Sequence, residues 1–247
     1  MAKEENIILP VLAGVALLAL FSTNSKNGPA PSPPPVPGIT PTNFIKKYWS
    51  EALQSQAQTK VPALVTITQA GLESGWGKHA PGNNFFGIKS GSAWSGQKQK
   101  LLTWECGPSG NASQDKITDE VVYVLPPGDP KGICGPDDLQ SLYKWHSYRD
   151  KFKLPGENIY FISGNKYSYR VRAWFRAYPD ARASFTDHGM FLQNNSRYKN
   201  AFNYTKDPAQ FAREIAKAGY ATDPNYASKL ISSMYIAQDV LKRAGMI

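Results

Sequence analysis

Gln69 to Lys89 read QAGLESGWGKHAPGNNFFGIK, and what matters in this stretch is how its helix stops. Leu64, Val65, Thr68 and Leu72 recur at helical spacing, the run gives way to Gly75-Trp76-Gly77, and a loop rich in glycine and asparagine follows with two phenylalanines. One carboxyl group, that of Glu73, therefore stands at a helix end, beside aromatic side chains and at the mouth of a loop. Partial loss of water disfavours the charged form and raises the pKa toward the range in which an acid donates a proton to a leaving group. The same residues equally describe a capped helix terminus lined by core aromatics.

On either side the chain is well punctuated. Pro62 suits the first turn of the helix that carries Glu73, and Asn43 suits the N-cap of an earlier one whose inward face is Phe44, Ile45, Tyr48, Trp49 and Leu53. Residues 97–105, 118–125 and 168–178 are rich in β-branched and aromatic side chains and predict a small antiparallel sheet. Asp207, Pro208 and Gln210 start a helix with Phe211, Ile215 and Ala218 on one side, ended by Gly219. Asp223 and Pro224 start the next, which buries Tyr226 or Ala227, Leu230, Ile231, Met234 and Leu241 before Gly245. The expected class is α+β: a helical body with a small antiparallel β-lobe, arranged as in lysozyme-like proteins.

The amino terminus differs in kind. Ile7–Phe21 carries no charged side chain and predicts a membrane helix over residues 1–24; a cleavable signal segment is the competing reading, disfavoured by the lack of an A-x-A site. Residues 25–42, with NGPAPSPPPVPGITP, predict a polyproline-biased spacer. Residues 43–247 form the expected catalytic domain. A formal charge of +9 and a pI near 9.4 call for an anionic partner, since such a field concentrates negatively charged polymers. No zinc-finger, helix-turn-helix or RNA-stacking pattern is present, so nucleic acid is not the expected partner. His79, His146 and His188 are scattered without ligand periodicity, and neither a metal nor a cofactor is expected.

Three blocks, in order, carry a resemblance: LESGWG with NNFFGIK, then AWFRAYPDARASFTDHGMFLQNNSRY (Ala173–Tyr198), then AGYATDPNYASKL (Ala218–Leu230). They resemble glycoside hydrolase family 73, the bacterial N-acetylglucosaminidases that include the flagellar rod-cap hydrolase domain and many autolysins. The resemblance implies cleavage of the β-1,4 bond between N-acetylglucosamine and N-acetylmuramic acid in peptidoglycan, with Glu73 as general acid. It also implies a second carboxylate on the β-lobe, eleven residues after a tryptophan; Trp94 and Glu105 stand at that spacing. The family tyrosine of AGYATD corresponds to Tyr220, which would line the active site from the link between two helices.

Other roles follow less directly. Trp76, Phe86 and Tyr178 are candidates for stacking on sugar rings and Asn84 for holding an N-acetyl group or the loop, with core packing the competing reading of each. The chain departs from the family between about 106 and 168, an insertion that contains Cys106 and Cys134. In an exported protein these pair as a disulfide; in a reducing compartment they stay thiols, and the disulfide is the expectation adopted. Localisation follows as a catalytic domain facing the cell wall, held by its membrane helix in a bacterial envelope or in the membrane of a virus particle. Muramidase, lytic transglycosylase and an inactive wall-binding or virion structural protein are the competing functions.

Overall fold

The computed structural model describes residues 40–127, 129, 134, 166–221 and 223–247. The apolar segment Ile7–Phe21 lies outside them; among the described residues no helix is long and apolar enough to cross a membrane. The chain divides into two compact units, one made of the chain up to Gln99 with Phe175–Ile247, the other of Lys100–Trp174.

The first unit is helical: α1 (Pro41–Thr59), α2 (Ala63–Glu73), α3 (Ala181–Asn194), α4 (Pro208–Lys217) and α5 (Tyr226–Arg243), with short 3-10 segments at Pro81–Asn83 and Ser196–Tyr204. Helix α1 begins before Asn43, because Thr40 Oγ1 accepts from the Asn43 amide at 3.2 Å and Pro41 takes a first-turn position where a missing N–H is harmless. The spacer thus ends sooner than its proline content suggests. The inward face of α1 is Phe44, Ile45, Trp49, Ala52, Ser55 and Thr59, whereas Leu53 is 45% exposed. At 100° per residue Leu53 points roughly 180° from Phe44, and Ala52 fills the place expected for it.

Helix α2 is the centre of this unit. Its buried residues run nearly all round it, from Ala63, Val65 and Thr66 to Ala70, Gly71 and Glu73. Val65 belongs to an apolar cluster with Phe191, Phe211, Ile215, Tyr226 and Met234, while Ile67 and Ala70 belong to a second with Phe44, Trp49, Phe85, Phe86 and Phe185. A helix buried on all sides must satisfy its polar side chains internally. Thr66 and Thr68 do so by donating to the carbonyls of Pro62 (3.4 Å) and Leu64 (2.6 Å). Helix α3 falls within the second resemblance block; its start is fixed by Asp180 Oδ1, which accepts from the Ala183 amide at 2.8 Å.

The second unit is a three-stranded sheet in the order β1 (Lys98–Gly107), β3 (Tyr167–Arg176), β2 (Glu120–Leu125). β2 and β3 run antiparallel, Glu120 opposite Arg172 and Leu125 opposite Ser168, with an irregularity between Val121 and Tyr123. Glu120 pairs with both Lys100 and Arg172 at 2.6 Å, exposed contacts that add little stability. Cys106 and Cys134 are joined by a disulfide across a sequence separation of 28 residues, with Cα atoms 5.7 Å apart.

Replacing both cysteines by serine is expected to cost about 3 kcal/mol, from the loop-closure entropy the cross-link removes from the unfolded chain. Hydrogen exchange should register the loss at amides of residues 100–107 and 167–174 and leave those of α2 unchanged. Equal loss in both places would show the two units to be one cooperative block.

Candidate active site

Glu73 is the last residue of α2, and the turn that follows is built to stop the helix at that point. Ser74 Oγ donates to the Ala70 carbonyl at 2.5 Å and accepts from the Gly77 amide at 2.8 Å. Gly75, Trp76 and Gly77 all adopt left-handed backbone, at φ +60°, +59° and +82°. Trp76 is the costly member, since a Cβ disfavours that region. Its ring folds back over Gly71, where an added Cβ would meet the indole at 2.5 Å, and it meets Phe44 edge-on at 5.9 Å. Glycine at 71 and the two glycines flanking Trp76 are therefore steric requirements of this turn.

The Glu73 carboxyl is 4% exposed, a stronger burial than the mouth-of-a-loop expectation. Burial pushes its pKa from 4.5 up to about 8, against the hydrogen bond from Tyr226, which favours the charged form. The C-terminal end of a helix also disfavours negative charge. At neutral pH the group is a neutral acid. Its two oxygens differ: Oε1 accepts from Tyr226 Oη at 3.2 Å, and Oε2 is sealed without a hydrogen-bond partner among the described residues.

Tyr226, in the first turn of α5, is held in turn by Gln69, whose Nε2 donates to its hydroxyl at 2.9 Å. Gln69 lies one turn before Glu73 on α2. Burial, then the nearby Glu73, raises the Tyr226 phenol well above its ordinary value, so it remains a donor. Stacked on Tyr226 at 5.5 Å is Tyr220, whose hydroxyl meets His188 Nε2 at 3.1 Å. His188 in α3 is driven by burial to a pKa of about 3 and stacks flat on Phe86 at 3.8 Å, so the ring is neutral. An aromatic and polar chain thus connects Phe86, His188, Tyr220 and Tyr226 to the acid.

This chain revises several expectations. Tyr220 does not project from its link. The amide of Gly219, itself at φ +79°, donates to the Ala216 carbonyl at 2.9 Å, and that of Tyr220 to Ile215 at 3.1 Å. That is a Schellman ending, in which the residue after the glycine packs back against the last helical turn. Phe86 is fully buried against His188 and Phe185, so it offers no face to a sugar. Asn84 is consumed by the loop, with Nδ2 donating to the carbonyls of Ile88 (2.9 Å) and Arg176 (3.0 Å) and Oδ1 accepting from the Ile88 amide at 3.0 Å. Tyr178 is buried and donates to Asp187 Oδ2 at 2.7 Å, beside the Arg176–Asp187 ion pair of the same length. Trp76 alone of the four keeps part of its surface. Glu105 lies near the end of β1 in the other unit, half-buried. Among the described residues no cluster of histidine, cysteine and carboxylate side chains could hold a metal ion.

Gln69 and His188 were not legible as site residues. Gln69 looks like an ordinary helical position, and His188 is one of three scattered histidines. The spacing of Tyr226 predicts a core face, which is true of its ring but not of its hydroxyl. The signal available was the i, i+4 spacing of Gln69 and Glu73, which puts both on one helix face.

The model of the glucosaminidase family, described as mannosyl-glycoprotein endo-beta-N-acetylglucosaminidase, matches residues 49–239. The chain belongs to the glucosaminidase family. As a glucosaminidase it is a glycoside hydrolase, and the match runs from α1 to α5 through the sheet unit. Its similarity to the peptidoglycan hydrolase FlgJ of Pseudomonas aeruginosa is 28% identity over 194 residues, covering 76% of this chain but 34% of that protein. The FlgJ of Vibrio cholerae is also 28% identical, over 195 residues, 76% of this chain and 41% of the relative. The chain therefore spans well under half the length of these two relatives. The glycoside hydrolase domain of Salmonella typhimurium FlgJ superposes with a TM-score of 0.53 at 22% identity, over 84% of this chain and 94% of that domain, which establishes the lysozyme-like fold. A peptidoglycan hydrolase mutant from Sphingomonas sp. A1 gives 0.51 at 25% identity, over 82% and 99%.

The raised pKa makes a stability prediction. The fold holds the proton that the unfolded chain releases above pH 4.5, so the contribution is intact below 4.5 and is lost as pH climbs toward and through about 8. Glu73→Gln does not titrate. In urea titrations it should equal the parent near pH 4 and exceed it by about 3 kcal/mol at pH 7. A difference that does not change with pH would show that the carboxyl is not held neutral.

Proposed function

We propose that the chain hydrolyses the β-1,4 bond between N-acetylglucosamine and N-acetylmuramic acid in peptidoglycan, with Glu73 as general acid. The observation that carries the acid's role is the buried carboxyl at the end of α2, its pKa raised to about 8 by burial, with one oxygen bonded and the other not among the described residues. Family membership and the relatives named peptidoglycan hydrolases support the polymer. Net charge of +9 suits an anionic wall.

In this mechanism the Oε2 proton passes to the glycosidic oxygen as the C1–O bond breaks, the bonding electrons leaving with that oxygen. Contact at about 2.6–3.2 Å is needed, so the groups covering Oε2 yield when sugar enters; catalytic hydrogen bonds commonly tighten only in the substrate complex. The anomeric carbon is then attacked by water or by the substrate's own acetamido oxygen. Either way the carboxylate formed at Glu73 is disfavoured by its apolar surroundings and recovers a proton in the next step. Trp76 remains the candidate for stacking on a sugar ring.

Digestion of purified walls followed by mass spectrometry should yield fragments with N-acetylglucosamine at the reducing end. Muramic acid ends would indicate a muramidase, and anhydro ends a transglycosylase. Glu73→Gln should reduce turnover by about 100-fold to 10,000-fold with folding intact, and the parent's activity should decline on the alkaline side near pH 8. A fully active Glu73→Gln protein would remove Glu73 from the mechanism.

The amino-terminal arrangement is part of the same proposal: residues 1–24 anchor, residues 25–42 space, and the remainder faces the wall. Expressed in bacteria, the full chain should sediment with membranes and resist salt extraction, and deletion of residues 1–24 should release it. A full chain freed by salt alone would exclude the anchor.

A further inference from the structure

A carboxylic acid delivers a proton well only if the proton sits on the oxygen that faces the substrate, and a buried acid has two nearly equivalent sites for it. In this protein they are made unequal by a relay that starts on the same helix. Gln69 Nε2 donates to Tyr226 Oη at 2.9 Å, which occupies an acceptor position of the phenol. The phenol in turn donates to Glu73 Oε1 at 3.2 Å. The carbonyl oxygen of a neutral acid is a better acceptor than its hydroxyl oxygen, so a donor on Oε1 favours the acid's own hydrogen on Oε2. We propose that Tyr226, polarised by Gln69, is a positioning residue that fixes the catalytic proton of Glu73 on Oε2. This inference rests on the proposed role of Glu73 as general acid.

Two features support the relay. Tyr226 is locked in place: its ring is fully buried, sits in the first turn of α5 and stacks on Tyr220 at 5.5 Å. Gln69 and Glu73 are one turn apart on a helix packed all round, so neither can drift relative to the other. Among the described residues the titratable groups facing the acid are Tyr226 from α5 and Tyr220 from the link between α4 and α5; His188 from α3 reaches Tyr220 in turn. Both phenols are raised well above their ordinary value by burial, and Glu73 raises them further, so they stay hydroxyl donors across the range in which Glu73 titrates.

Tyr226→Phe keeps the ring and removes only the hydroxyl, and Gln69→Met keeps the length and removes only the polarising amide. With the Tyr226 donor gone, the charged form of Glu73 loses a hydrogen bond, so its pKa should move up by about one unit. The experiment pairs wall hydrolysis across pH with carbon-13 NMR titration of the glutamate carboxyls, Glu73 being assigned by its disappearance in Glu73→Gln. Expected for Tyr226→Phe are a kcat lowered at least tenfold with KM within about twofold, an alkaline limb displaced upward, and the same displacement in the NMR titration. Gln69→Met should lower kcat in the same sense. A folded Tyr226→Phe protein with unchanged kcat and an unmoved Glu73 titration would overturn the proposal, as would loss of stability with kcat per folded molecule intact. Should Tyr226→Phe not fold, an unchanged kcat in Gln69→Met overturns it alone. Failure of the underlying acid assignment is distinguishable, because Glu73→Gln would then be active.

Discussion

The energetic centre of this structure is a carboxyl group placed where water cannot reach it. Burying an ionised carboxylate is prohibitive, so the group stays neutral at the pH of its surroundings, and each neighbour is consistent with neutrality. The helix that carries it is packed on all sides, the helix end opposes negative charge, and among the described residues the single donor offered to it is a phenol. A surface acid could not serve this purpose, since solvent would return its pKa to the ordinary carboxylate range. Stability is lost above pH 4.5 in exchange for a proton that is available at neutral pH.

Around that acid the packing and the chemistry are the same residues. The apolar cluster built on Phe211, Ile215, Leu230 and Met234 also contains Tyr220 and Tyr226, which present their hydroxyls to His188, Gln69 and Glu73. A polar chain of this sort is rigid because every member is wedged by an aromatic neighbour: His188 by Phe86, Tyr226 by Tyr220. Rigid support suits the general acid proposed for Glu73, since the effectiveness of such a group falls steeply with misplacement. The Gly-Trp-Gly turn adds a second restraint, since Trp76 pays for its left-handed backbone through the contact with Gly71 that keeps the end of α2 closed.

The sheet unit follows a different physical logic. Among its described residues the large buried aromatic side chains are Trp104 and Tyr169, and a disulfide ties the end of β1 to Cys134. Glu105 is carried on this unit, on a strand end rather than on a central helix.

Local sequence was enough for the elements whose signals are local. The N-cap and first-turn proline of α4, the glycine after it, the three strands and the end of α2 at Glu73 all follow from backbone preferences that act within a few residues. The family resemblance, carried by short motifs, likewise needed no coordinates. What required the tertiary structure was the direction in which side chains point. Tyr220 turns inward because a Schellman ending folds it back, Leu53 turns outward because α1 presents Ala52 instead, and Phe86, Asn84 and Tyr178 are occupied by partners distant in sequence. Tyr226 meets Gln69 and Glu73 only because α2 and α5 pack together, at sequence separations of 157 and 153. Backbone propensity is a short-range property, whereas the protonation and orientation of a buried acid depend on everything that excludes water from it, and that is assembled only when the whole chain has folded.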